Sequence, residues 1–125
     1  MNKYILVLVL MILGHLLADY PLQGWLASAK AKSYWKDTPT KYDYIPALIC
    51  HATMWAIIVF LPIIYFGWQT LDWFWLALPI NIVIHCVVDD LKANKKKINL
   101  CYDQILHLNQ ILITWGLWIN FYGNR

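Results

Sequence analysis

The sequence predicts an all-α membrane protein: a four transmembrane helix bundle with an interfacial cytoplasmic loop between helices 1 and 2. Three observations predict it. Hydrophobic residues make up 61% of the 125 and charged residues 14%, against roughly 45–50% and about 25% in an average soluble domain. Four apolar stretches come near the roughly 20 residues that a spanning helix needs. The charges gather in the segments between those stretches, as they do in chains that cross a bilayer. This composition excludes a disordered chain, a coiled coil and a nucleic-acid-binding domain with a solvated basic face. A small soluble domain has too much surface to cover with so few charges. The length, residues 1–125, makes one domain.

The first span runs from about Tyr4 to Asp19 and is short, with Pro21 marking its exit. A signal peptide ending at Ala27-Ser28-Ala29 competes with this reading. The stretch before that site is long for one, and it carries Asp19, Pro21 and Trp25. The segment Tyr20–Tyr44 holds Lys30, Lys32, Lys36 and Lys41. It is expected to lie along the inner interface, anchored by Trp25, Leu26, Tyr34 and Trp35. The second span runs from about Ile45 to Phe66, the third from Leu71 to Leu91 and the fourth from Leu100 to Phe121. Lys92, Lys95, Lys96 and Lys97 follow the third, whereas the loop Gly67–Thr70 has no Lys or Arg. Lys and Arg accumulate on the cytoplasmic side. Both Lys-rich loops are therefore placed inside, and both termini, with only Lys3 and Arg125, outside. Trp68, Trp73 and Trp75 would mark the outer interface. The Lys92–Lys97 run is read as contacting anionic lipid headgroups, at about 1 kcal/mol per charge, and is too short for nucleic acid. Cys50, Cys86 and Cys101 have no framework spacing and are read as free thiols.

Each span contains one histidine: His15, His51, His85 and His107. Each lies toward the cytoplasmic end of its span. Three have an aspartate four residues away, as His15/Asp19, His85/Asp89 and Asp103/His107, so three helices each present an imidazole and a carboxylate on one face. Asn81 and Lys92 extend the face of His85, and Gln110 and Thr114 that of His107. A lone intramembrane His commonly just hydrogen-bonds a neighbouring helix. Asp37, Asp43, Asp72 and Asp90 read as ordinary interfacial residues. The set as a whole carries more weight, because an ionisable group in a bilayer costs roughly 2.5–3.5 kcal/mol unless it pairs or faces a cavity. Convergence of the seven side chains on one site is therefore expected. Their nitrogen and oxygen donors suit a divalent transition metal, Zn²⁺ or Mn²⁺ above all, as one ion or two. Three carboxylates side by side repel one another, and a divalent cation relieves that. Two alternatives stay open. Some Asp would orient a His through its other nitrogen, or the set would be a proton relay without metal.

The string His15-Leu-Leu-Ala-Asp19-Tyr-Pro-Leu-Gln23, Trp25-Leu-Ala, Lys30, His51, His85-Cys-Val-Val-Asp89-Asp-Leu-Lys92 and Asp103-Gln104-Ile-Leu-His107 resembles a family of small bacterial and phage membrane proteins, domain of unknown function 3307. The family pattern usually has Phe at Tyr20 and Met at Leu26, changes that leave the polar set intact. The resemblance implies a bacterial cytoplasmic membrane location and adds Gln23 and Gln104 as site candidates. It assigns no chemistry. A looser similarity, with different spacings, links the pattern to bacterial inner-membrane proteins classed as metal-dependent hydrolases.

Three functions follow as expectations. The first is a metal-dependent hydrolase acting on a lipid-linked or membrane-surface phosphate or ester. Asp89 or Asp103 would take the proton from water, and Lys92 would stabilise developing negative charge. The second is a metal-ion or proton transporter, which the lack of ionisable residues in the outer half disfavours. The third is a small regulatory membrane protein that binds a partner. Oligomerisation is compatible with all three.

Overall fold

The computed structural model describes residues 2–67 and 71–122. Trp68, Arg125 and the Gly67–Thr70 loop beyond Gly67 lie outside the described residues, as does the side chain of Asp72. The described chain is all-helical: α1 Lys3–Asp19, the short α2 Leu26–Ala29, α3 Tyr44–Phe66, α4 Leu71–Ala93 and α5 Leu100–Tyr122, with a 3-10 turn at Lys32–Tyr34 between α2 and α3. The four long helices coincide with the four apolar stretches to within two residues.

Local chemistry sets the helix ends. Asn2 caps α1 by accepting the Tyr4 amide at 2.9 Å, and Asn99 does the same for Tyr102 at the start of α5, also at 2.9 Å. At the far end of α1 the Gln23 amide donates to the Asp19 carbonyl, satisfying a carbonyl that the helix leaves open. Gly24, with φ +52°, then reverses the chain in a conformation that other residues resist.

The long helices run antiparallel in the order α1, α3, α4, α5, and α5 closes back on α1. Pairings along the helices fix this sense. Tyr4 O accepts from Trp115 Nε1 at 2.8 Å, while His15 meets Gln104 at the other end. One half of the core is apolar, built from Val7, Met11, Val59, Ile63, Ile111 and Trp118. At Gly14 an added Cβ would stand 3.2 Å from both the Ile58 side chain and its carbonyl oxygen, so α1 and α3 approach closely there.

The other half of the interior is polar and much of the outer surface is apolar. His15, Asp19, His51, His85, Asp89, Asp103 and His107 are all buried, whereas Leu13, Leu17, Ile49, Leu61, Val83 and Ile113 face outward. Among the described residues, two helices, α3 and α4 over Trp73–Ala93, are long and apolar enough to cross a membrane.

Residues 20–43 form a strap across the end of the bundle where α1 and α4 finish. Leu26 does not anchor outward as expected. It is buried against Ala29, Ala47 and Trp35, while Trp25 and Tyr34 remain exposed. Asn94, just past α4, ties the strap down. It accepts the Lys32 amide at 2.7 Å, donates to the Lys30 carbonyl at 3.2 Å and donates to Asp90 at 2.8 Å.

Candidate metal centre

The i, i+4 pairs place their side chains inward at one level, beneath the strap. His51 Nε2 lies 3.3 Å from Asp19 Oδ1 and 3.4 Å from Asp89 Oδ2. His85 Nε2 is 3.7 Å from the same two oxygens. On the other side of Asp89, His107 Nε2 is 3.3 Å from Asp89 Oδ1 and 3.5 Å from Asp103 Oδ1. Helices α1, α3, α4 and α5 thus each supply at least one donor atom to a single cluster.

The hydrogen bonds leave this cluster short of partners. Asp19 Oδ1, His51 Nε2, both ring nitrogens of His85, Asp103 Oδ1 and His107 Nδ1 are buried without a hydrogen-bond partner. Burying such groups unpaired is costly. Tetrahedral ligands on bonds of about 2.1 Å stand about 3.4 Å from one another. The four contacts that His51 and His85 make with Asp19 and Asp89, 3.3–3.7 Å, are near that spacing, and His51, His85 and Asp89 have all their donor atoms within 4.8 Å of one another and could hold one ion. Neighbouring subsets, including Asp89, Asp103 and His107, also have their donor atoms within 4.8 Å of one another.

His15 sits at the edge of the cluster in a different role. Trp55 Nε1 donates to His15 Nδ1 at 2.9 Å, so the ring proton is on Nε2, which donates to Gln104 Oε1 at 3.1 Å. The Gln104 amide in turn donates to Asp103 Oδ2 at 3.0 Å and Asp19 Oδ2 at 3.4 Å. Both nitrogens of His15 are therefore engaged, and the chain of donors it starts ends on two carboxylates. The same Trp55 stacks on His85 with ring centroids 4.3 Å apart, and His85 stacks on His107 at 4.1 Å.

Two lysines complete the electrostatics. Lys30 belongs to the segment expected to lie along the inner interface, but the strap carries it inside. It is 5% exposed, and its ammonium lies 2.6 Å from Asp89 Oδ2. Low dielectric around a buried ammonium favours pairing over solvation, and Asp89 supplies the partner. Lys92 bonds Asp103 Oδ2, and Lys95 pairs with Asp90 at 3.1 Å. Asp89 therefore has Lys30 on one oxygen and His107 against the other, whereas Asp103 Oδ1 has no hydrogen-bond partner and faces His107 Nε2 at 3.5 Å.

Not every polar candidate joins the cluster. Gln23 caps α1 through its amide. Asn81 and Gln110 form a second layer one turn further into the bundle. Gln110 Nε2 donates to Asn81 O and Oδ1 at 2.8 Å, and Thr114 donates to Asn81 Oδ1 at 3.1 Å. Lys30, which the family string contains without a role, and Trp55 are the site residues that sequence reasoning did not assign. The strap's fold was not visible locally, and a Trp in an apolar run gives no sign of its indole N–H finding an imidazole.

No curated protein and no solved structure matches the chain. One family model matches residues 7–124, nearly the whole chain and all of the cluster, and its description is a protein of unknown function, DUF3307. The chain belongs to that family.

Proposed function

We propose that the chain is a four-span protein of the bacterial cytoplasmic membrane, with both termini outside. Its His/Asp centre binds Zn²⁺ or Mn²⁺ in the cytoplasmic half and hydrolyses a lipid-linked or membrane-surface phosphate or ester. The observation that carries the reading is the ring of buried, unpartnered imidazole and carboxylate donors drawn from all four long helices. The outward apolar residues of α1 and α5, alongside those of α3 and α4, support four spans. The lysines of the strap and of the α4–α5 loop support the orientation.

His51, His85, Asp19 and Asp89 hold the ion. A divalent ion there acidifies water and polarises a phosphoryl or carbonyl oxygen. Gln104 fixes the Asp19 and Asp103 carboxylates, and its own orientation is set by His15. Lys30 and Lys92 supply positive charge where the substrate's charge develops. Lys92 is part-exposed at the strap end, where headgroups and water arrive.

The Asn81–Gln110–Thr114 layer favours a second reading, ion transport, because it extends polar atoms deeper into the bundle. Beyond it the core is apolar, at Trp118, Ile63 and Val7. The test is metal content after purification in detergent without chelator, followed by phosphate release from phosphorylated lipids. Near-stoichiometric metal that is lost in His85→Ala, with metal-dependent turnover in the wild type, is expected. Metal near zero would overturn the centre. Stoichiometric metal with uptake into proteoliposomes and no turnover would replace hydrolysis by transport.

A further inference from the structure

The four-atom set does not use every open donor. Asp103 Oδ1 is fully buried and has no hydrogen-bond partner. It faces His107 Nε2 at 3.5 Å, which in turn faces Asp89 Oδ1 at 3.3 Å. All three residues are 1% exposed or less, and their donor atoms lie within 4.8 Å of one another. Asp89 thus presents Oδ2, which also accepts from Lys30, to His51 and His85, and Oδ1 to His107.

We propose that the centre is dinuclear. One ion lies among His51, His85, Asp19 and Asp89 Oδ2, a second among His107, Asp103 Oδ1 and Asp89 Oδ1, and Asp89 bridges them. The proposal rests on the metal reading above and extends it. A carboxylate spanning two ions through its two oxygens is the geometry of two-metal sites, where the ions stand about 3.5–4 Å apart. The stacked His85 and His107 rings, 4.1 Å between centroids, present one imidazole to each ion at a matching separation. Asp103 is then a ligand and not the proton acceptor expected of a one-metal site. The second ion has only three protein ligands, which leaves a position for substrate or water.

Charge selects the substrate class. Three carboxylates and two ammonium groups leave the cluster with a small negative charge. Two divalent ions reverse that sign. A positive site in a low-dielectric bundle calls for an anion, and a phosphate group supplies more than one negative charge with oxygens for both ions.

The test is Mn²⁺ reconstitution of the full chain in detergent, read by elemental analysis and electron paramagnetic resonance, for the wild type and Asp103→Asn. Two Mn²⁺ per chain with an exchange-coupled signal are expected in the wild type. Asp103→Asn is expected to hold one, with an isolated six-line spectrum. One uncoupled ion in both proteins would overturn the second site and leave the first standing. Two uncoupled ions would overturn the Asp89 bridge, and no bound Mn²⁺ would remove both readings. Should Asp103→Asn fail to fold, the wild-type stoichiometry and coupling decide the question alone.

Discussion

The indole of Trp55 serves two imidazoles at once. Its N–H settles the tautomer of His15, and its face supports His85. In Trp55→Phe an aromatic face remains and the N–H donor to His15 Nδ1 is lost. A lost buried hydrogen bond costs about 1 kcal/mol. Thermal unfolding in detergent is expected to show a destabilisation of that size, and an unchanged midpoint would sink the assigned role. Lys30 is a stronger case. Removing one partner of a buried ion pair costs about 3–5 kcal/mol, because the other charge is left uncompensated. Lys30→Met is expected to lower stability on that scale without metal. Added Mn²⁺ should restore part of the loss, since the ion takes over compensation of Asp89. A loss that Mn²⁺ does not touch would separate Lys30 from the centre.

At the scale of elements, two contacts position the cluster. The first is the close approach of α1 and α3 at Gly14, one residue before His15. A valine there must displace Ile58 or separate the helices, and overpacking costs about 1–3 kcal/mol. Gly14→Val is therefore expected to lower the unfolding midpoint and to weaken metal binding together, because His15 and Asp19 shift away from His51. Reduced stability with unchanged metal affinity would contradict the coupling. The second contact is Asn94, whose side chain holds the strap through Lys30 and Lys32. Asn94→Ala is expected to raise the rate of proteolysis within residues 20–43 several-fold while the helices stay protected. Equal rates would show that Leu26 and Trp35 suffice to hold the strap.

For the whole molecule, ionisable groups in a bilayer cost least when they pair inside the bundle, and the buried His and Asp of the long helices are placed in that way. Cysteines introduced at Lys36 and Lys96, both outside the bundle interior, are expected to react with a membrane-impermeant reagent only from the cytoplasmic side. Labelling of both from the opposite side would invert the proposed orientation.

The helices themselves were legible because span length and apolarity are local properties. The extents of α1, α3, α4 and α5 follow from the runs of Leu, Ile, Val and Trp and from the Asn caps. The pairing of His15 with Asp19, His85 with Asp89 and Asp103 with His107 was equally legible, because a separation of four residues fixes a shared face. Family membership came from the same strings. Only the tertiary structure decided which atoms meet. That His15 Nδ1, 3.5 Å from Asp19 Oδ2, takes its hydrogen bond from an indole depends on the rotation of α1 against α3, which approach closely at Gly14. Whether Lys30 sits in a loop or on Asp89 depends on a strap folding back across 59 residues of sequence. Those contacts join segments that share no local periodicity. Packing and the cost of unpaired buried charge select them, and neither is written in any one stretch of the chain.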